Sequence, residues 1–250
     1  MHVVEREGSS PTVVCVHGYC QSSAYWEATL ERLSLDGVHG IAADLPGFAA
    51  SAAEPGPYTM EGLADALAGF LDSRRLERVV LVGGSMGGVV AQHFVLRHPE
   101  RVSRLLLVAT GAYTADPPAA LTKADAMEKG AWDETTVTPI VNGFFRKPPP
   151  ASEVVRLRGI AMMTSKTAAI EAARSNAKSR TLERLCDIKV PTLIIQGRHD
   201  RARTPEHGAE MRDRIVGAHL EILEGSGHTP YLEEPDAFHR LAMPFLLGGR

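Results

Sequence analysis

Residues 79–98 read VVLVGGSMGGVVAQHFVLRH, and this stretch decides how the rest of the chain is understood. Val79 to Val82 is a short β-branched and apolar run, long enough for a buried strand and too short for a helix. Four glycines then surround one serine in Gly83-Gly84-Ser85-Met86-Gly87-Gly88. From Val89 to Leu96 apolar and polar residues recur at helical spacing, and His98-Pro99 supplies a stop. The stretch predicts a strand, a tight corner and a helix, with Ser85 at the apex.

Such a corner reverses the chain within a few residues and drives Ser85 towards a left-handed conformation. Side chains at positions 83 and 87 would collide there, so glycine is required. The outcome is a hydroxyl held at the carboxyl end of a strand, beside the first amides of the next helix. Those amides and the helix dipole favour a developing oxyanion. Glycine and serine are common in loops, so G-x-S-x-G alone is weak. Between this strand and this helix it reads as a nucleophile elbow.

Outward from the elbow, strands and helices alternate. Val3 to Arg6 and Thr12 to Val16 read as neighbouring strands joined by a turn at 7–11, and the second leads into His17-Gly18-Tyr19-Cys20. An amphipathic segment covers 23–35, and a strand at 40–43 ends in Asp44-Leu45-Pro46-Gly47-Phe48. A helix from Thr59 to Arg75 has Thr59 as its N-cap. Arg104 to Ala109 is another buried strand. The alternation stops at Gly111, and helices near 120–130, 133–145, 151–163 and 165–179 follow. It resumes with strand 192–196, helix 205–215, strand 219–223 and helix 235–246. This order implies an α/β fold with a mainly parallel, doubly wound sheet. The organisation expected is a core of 1–112 and 188–250, with 113–187 inserted as a helical cap over the sheet's carboxyl edge, where open α/β sheets bind ligands.

With 44% hydrophobic residues the chain has ample core material, and a net charge of −3 gives no reason to expect a nucleic acid or an anionic membrane as partner. No apolar run approaches membrane-spanning length, and the first residues, Met1 to Glu7, lack a signal-like apolar stretch. Cys15, Cys20 and Cys186 are odd in number and lack metal-ligand spacing. A reducing cytoplasm is the expected location, with no metal and no cofactor. A homodimer is compatible with the sequence, which does not specify it.

An activated serine needs a base, and the base needs an orienting carboxylate. Of the ten histidines, His228 follows a strand in the loop Gly225-Ser226-Gly227-His228-Thr229-Pro230. Asp200 lies just past the strand 192–196 and could meet it. The chain order Ser85, Asp200, His228 agrees with an elbow-type site. Asp44 competes, but its Asp-Leu-Pro-Gly context reads as a turn that bonds local amides.

These signatures, His17-Gly18, Asp44-Leu45-Pro46-Gly47-Phe48, Gly83 to Gly88, Gly197-Arg198-His199-Asp200 and Gly227-His228, resemble the α/β-hydrolase fold superfamily over essentially the whole chain. The resemblance implies Ser85 as nucleophile, His228 as base and then acid, and Asp200 as orienting carboxylate. It further implies an oxyanion hole from the backbone N–H groups of Met86 and Tyr19, a structural role for His17, and no cofactor. The short amino-terminal part implies about seven strands, without the family's first edge strand.

The activity expected is hydrolysis of a small carboxylic ester, lactone or thioester. Ser85 argues against dehalogenase and epoxide hydrolase chemistry, which use aspartate at the elbow, and Met86 fits proline iminopeptidases less well. Carbon–carbon bond hydrolases of ring-cleavage products share the Ser-Met-Gly-Gly elbow, yet usually carry a glycine-rich loop where this chain has Tyr19-Cys20-Gln21-Ser22. Cofactor-free perhydrolases and a slow-turnover receptor of the same fold are the other readings. Cys20, Trp132, Phe144, Phe145, Met162 and Met163 are candidates for the substrate wall, those in the cap being equally readable as its small core. Cys15 and His93 read as packing. Arg146, Arg156, Arg158, Arg201 and Arg203 read as solvated charges, although one of them facing the site would point to an anionic substrate.

Overall fold

The computed structural model describes residues 1–249. Its strands are β1 (Val3–Arg6), β2 (Ser9–Val16), β3 (Val38–Ala43), β4 (Val79–Gly84), β5 (Val102–Val108), β6 (Thr192–Gly197) and β7 (His219–Leu223). They form one seven-stranded sheet in the order β1-β3-β2-β4-β5-β6-β7. All neighbours are parallel except β1, which runs antiparallel to β3.

Strand side chains alternate between the two faces, and each face has its own helical cover. Val14, Ile41, Leu81, Leu105 and Ile194 point to one side. There they meet α2 (Met60–Ser73), α3 (Met86–Arg97) and α8 (Pro205–Arg214). Val13, Ala42, Val80, Leu106 and Ile195 point to the other. Here α1 (Glu27–Leu35) and α10 (Pro235–Leu246) cover them, with Trp26, Tyr231 and Phe238 as the largest fillers. Burial on both faces explains why the inner strands are apolar runs rather than alternating ones. The N-cap expected at Thr59 is present, its side chain accepting from the Gly62 N–H at 3.0 Å.

The expected pairing of the first two strands is wrong. β1 registers with β3, Val3 opposite Ala43 and Arg6 opposite Gly40, while β2 lies on the far side of β3. Only Glu7 and Gly8 separate β1 from β2, which looks like a hairpin. Instead Gly8 crosses the end of β3, so close to the Val38 and His39 backbone that no side chain would fit. Strand β3 is almost wholly buried whereas β1 is half-buried throughout, so the more apolar strand takes the inner place. The segment 9–11, read as a turn, belongs to β2.

Between β5 and β6 lie α4 (Pro117–Lys129), α5 (Glu134–Asn142), α6 (Ala151–Met162) and α7 (Lys166–Lys178). They have no separate core. Val137, Val141, Leu157 and Ala161 join the apolar cluster of one sheet face, and Ala168 and Ala172 join that of the other. Among the described residues no helix is long and apolar enough to cross a membrane.

Candidate active site

Every side chain singled out for chemistry follows the carboxyl end of a strand. Ser85 follows β4 and has φ 51° and ψ −117°, a conformation that costs an L-residue free energy. Its neighbours make the corner physically achievable. A Cβ at Gly83 would sit 2.5 Å from the Gly87 carbonyl oxygen, and one at Gly87 would strike the Val16 and His17 carbonyls. The second clash is with the end of β2 rather than across the turn. The Ser85 N–H donates to the Val108 carbonyl at 2.8 Å, and its own carbonyl accepts from Thr110 Oγ1 at 2.7 Å.

The His228 loop follows β7 and carries the imidazole back over the strand ends. His228 Nε2 lies 2.7 Å from Ser85 Oγ, and Nδ1 lies 2.6 Å from Asp200 Oδ2. A carboxylate can only accept, so Nδ1 carries the proton and Nε2 is left to accept from the serine hydroxyl. Asp200 Oδ1 is held by the N–H groups of Ala202 and Arg203, at 2.8 and 2.9 Å. Both carboxylate oxygens are therefore fixed, which sets the plane of the imidazole.

His228 is held from the segment between β5 and β6 as well. The His228 N–H donates to the Phe144 carbonyl at 3.1 Å, just beyond the end of α5. The short helix α9 (Pro230–Glu233) adds a second brace. Glu233 Oε2 accepts from the N–H of Gly227 at 2.8 Å and of Thr229 at 3.2 Å, on either side of the histidine. Its Oε1 accepts from the Arg146 N–H at 2.6 Å. Sequence reasoning passed over Glu233, whose only signal is an acid at the carboxyl end of a four-residue helix beginning at Pro230.

Asp44 takes the other course. Its oxygens accept from the N–H of Ser23 at 2.6 Å and of Ala50 at 3.1 Å. His17 Nδ1 donates to the Gly18 carbonyl at 2.7 Å, and Nε2 accepts from the Leu45 N–H at 3.0 Å. Both histidine nitrogens are thus committed to backbone, and complete burial holds its pKa below the usual imidazole value.

A cavity of about 610 Å³ opens over Ser85 and His228. Tyr19, Met127, Pro139, Ile140 and Phe144 supply much of its wall, with Ala173, Asn176 and Ala177 from α7. Among the described residues the backbone N–H groups of Tyr19 and Met86 have no protein acceptor.

Of the expected wall residues, only Phe144 lines this cavity. Cys20 is completely buried in the apolar cluster of the α1–α10 face, and desolvation pushes its thiol up to about 12. Trp132, Phe145 and Met162 pack against the apolar cluster of the α1–α10 face, and Met163 points into solvent with 53% exposure. Helix α6 turns Leu157 and Ala161 inward, and Met163, just past its last residue, faces out. Arg203 is the opposite case: expected in solvent, it is 7% exposed and lines the cavity.

The chain matches the alpha/beta hydrolase family over residues 13–241 and belongs to it. It is 28% identical to 2-hydroxy-6-oxononadienedioate/2-hydroxy-6-oxononatrienedioate hydrolase 2 of Pseudomonas putida, over 98% of this chain and 91% of that protein. A hydrolase from Pseudomonas aeruginosa PA01 is 27% identical with a TM-score of 0.89, covering 99% of this chain and 94% of that one. The enol-lactonase from Burkholderia xenovorans LB400 is 25% identical, also with a TM-score of 0.89, over 98% and 96% of the two chains.

Proposed function

We infer that this protein is a serine hydrolase that cleaves a small carboxylic ester, lactone or thioester through an acyl-enzyme. The observation that carries the reading is the line Ser85 Oγ to His228 Nε2 to Asp200, with distances of 2.7 and 2.6 Å, opening onto the cavity. His228 takes the Ser85 proton as the oxygen attacks the carbonyl carbon. The N–H groups of Tyr19 and Met86 hold the oxyanion, and His228 returns the proton to the leaving alkoxide or thiolate. Water, deprotonated by the same imidazole, then releases the acid. Asp200 keeps the tautomer and stabilises the imidazolium. These steps use only side chains and backbone, in a core of 1–112 and 188–250 with 113–187 acting as the cap.

The test is p-nitrophenol release from esters of increasing acyl length, with wild type and Ser85→Ala. Turnover that vanishes in the variant supports the reading, and the preferred length gauges the cavity. Wild-type inactivity on every ester and lactone tried would sink it. One other reaction has a specific observation behind it. Similarity to the Pseudomonas putida hydrolase over nearly the whole chain favours cleavage of a carbon–carbon bond beside a ketone as the second reading. Loss of the visible absorbance of a dienolate substrate would select it.

A further inference from the structure

Arg203 is a buried cation with no ion-pair partner among the described residues. Its guanidinium donates to the Tyr113 carbonyl, to Thr114 Oγ1 at 3.5 Å and to Asn176 Oδ1 at 3.4 Å, all neutral acceptors. No carboxylate oxygen of the described residues lies within 4.0 Å of its nitrogens. Asp200 is the acid that acts on it, yet both Asp200 oxygens are already taken by His228 and by two backbone N–H groups. Arg156 and Arg158, by contrast, pair at the surface with Glu153 and Glu134. Holding a charge out of water without a partner is unfavourable unless something offsets it. A clamp between the Asp200 loop and the base of the cap would need hydrogen bonds and no charge.

The cavity supplies the direction in which to look. No aspartate or glutamate lines it, whereas Arg203 and the exposed Lys123 do, and Lys123 makes no ion pair among the described residues. The remaining wall is largely apolar, with Met127, Ile140 and Phe144 prominent. Three acceptors occupy at most three of the five guanidinium N–H groups. The positive charge remains unpaired, and the long bonds to Thr114 and Asn176, at 3.5 and 3.4 Å, are the ones an incoming carboxylate would displace or share. A phosphate dianion would bring more charge and more oxygens than this wall can pair.

We propose that Arg203, with Lys123 at the rim, forms an anion subsite, so that the substrate cleaved at Ser85 carries a carboxylate separated from the reacting carbonyl by an apolar segment. This rests on the serine hydrolase reading for the reaction, and on the Arg203 environment alone for the anion.

Two measurements test the two parts separately. The first compares kcat/KM for monomethyl esters of C4 to C8 dicarboxylic acids with methyl alkanoates of equal length. Acetates of ω-hydroxy acids against alkyl acetates cover the case in which the alcohol carries the charge. At least one carboxylate series should exceed its neutral match by about tenfold or more, chiefly through KM. Arg203→Met should lower kcat/KM for the charged esters at least tenfold more than for the neutral ones, with Arg203→Lys intermediate. Equal losses on both would make Arg203 a clamp only and overturn the proposal, as would a wild type indifferent to the carboxylate in both series. The second measurement needs no turnover: calorimetric titration of wild type with adipate and with 1,6-hexanediol. Adipate should bind about tenfold or more tightly, with a difference that shrinks in Arg203→Met. Adipate binding without ester hydrolysis would break the reaction reading and leave the subsite standing. Ester hydrolysis without adipate binding or carboxylate preference would do the reverse.

Discussion

Two pairs of strand-end loops in this protein carry the same residue types and do different things. After β2 and β3 stand His17 and Asp44; after β6 and β7 stand Asp200 and His228. All four side chains are buried. His17 spends both nitrogens on backbone, donating to Gly18 and accepting from Leu45, and Asp44 accepts only backbone N–H groups. His228 spends one nitrogen on Asp200 and keeps the other for Ser85. Burial and residue type therefore do not separate a histidine tied to backbone from the one proposed as base. What separates them is whether one nitrogen still faces a group whose proton can move.

The comparison can be broken at several points. The largest effect is expected at Ser85→Ala, which should lower kcat on any ester the wild type cleaves by about 10⁶-fold with the fold unchanged by circular dichroism. Asp200→Asn should cost about 10⁴-fold by admitting the wrong tautomer of His228. Near-wild-type turnover in that variant would move the acid's role elsewhere. Asp44→Asn should reverse the pattern, with kcat nearly kept and stability lowered by about 1–3 kcal/mol in urea unfolding, because a buried acceptor of two N–H groups is compromised. A loss of kcat like that of Asp200→Asn would erase the distinction between the two loop pairs.

A smaller effect is expected from pH. Burial depresses the folded-state pKa of His17 below its unfolded value of about 6.5. The stability contributed by neutral His17 is thus present above about pH 6.5 and is lost as pH falls through the depressed folded value. His17→Gln should show a shallower fall in denaturation midpoint between about pH 7 and 5 than the wild type. The smallest effect concerns the thiols. Native protein treated with iodoacetamide should be alkylated at exposed Cys186 and spared at buried Cys15 and Cys20. Rapid labelling of Cys20 would mean that the loop after His17 opens.

The elbow, the strands from β4 onward and the helices between β5 and β6 were legible because each depends on local pattern: apolar runs, helical spacing and glycine at a corner too tight for a side chain. Asp200 and His228 were legible because each follows a strand and the strands bring their loops together. The β1 pairing was not, since a short connection, read as a turn over 7–11, looks like a hairpin until competition for the buried place beside β2 is considered. The wall was largely missed for another reason. The helices between β5 and β6 have no core of their own, so their sequences do not mark which apolar face meets the sheet and which meets the cavity. Arg203 was missed because arginine is usually solvated, and nothing in Asp200-Arg201-Ala202-Arg203 states that the second arginine turns inward.

The Phe144 carbonyl, which receives the His228 N–H, has one further consequence. The joint between His228 and the segment linking β5 to β6 uses the main-chain carbonyl of residue 144, so any residue type at that position can provide it, while the side chain at the same position faces the cavity. On the proposed function, substrate range can then drift by substitution at 144 without loosening His228, and alignment and selectivity are separately heritable at one residue. Phe144→Leu should accordingly shift the preferred acyl group while the pH dependence of kcat stays where the wild type has it.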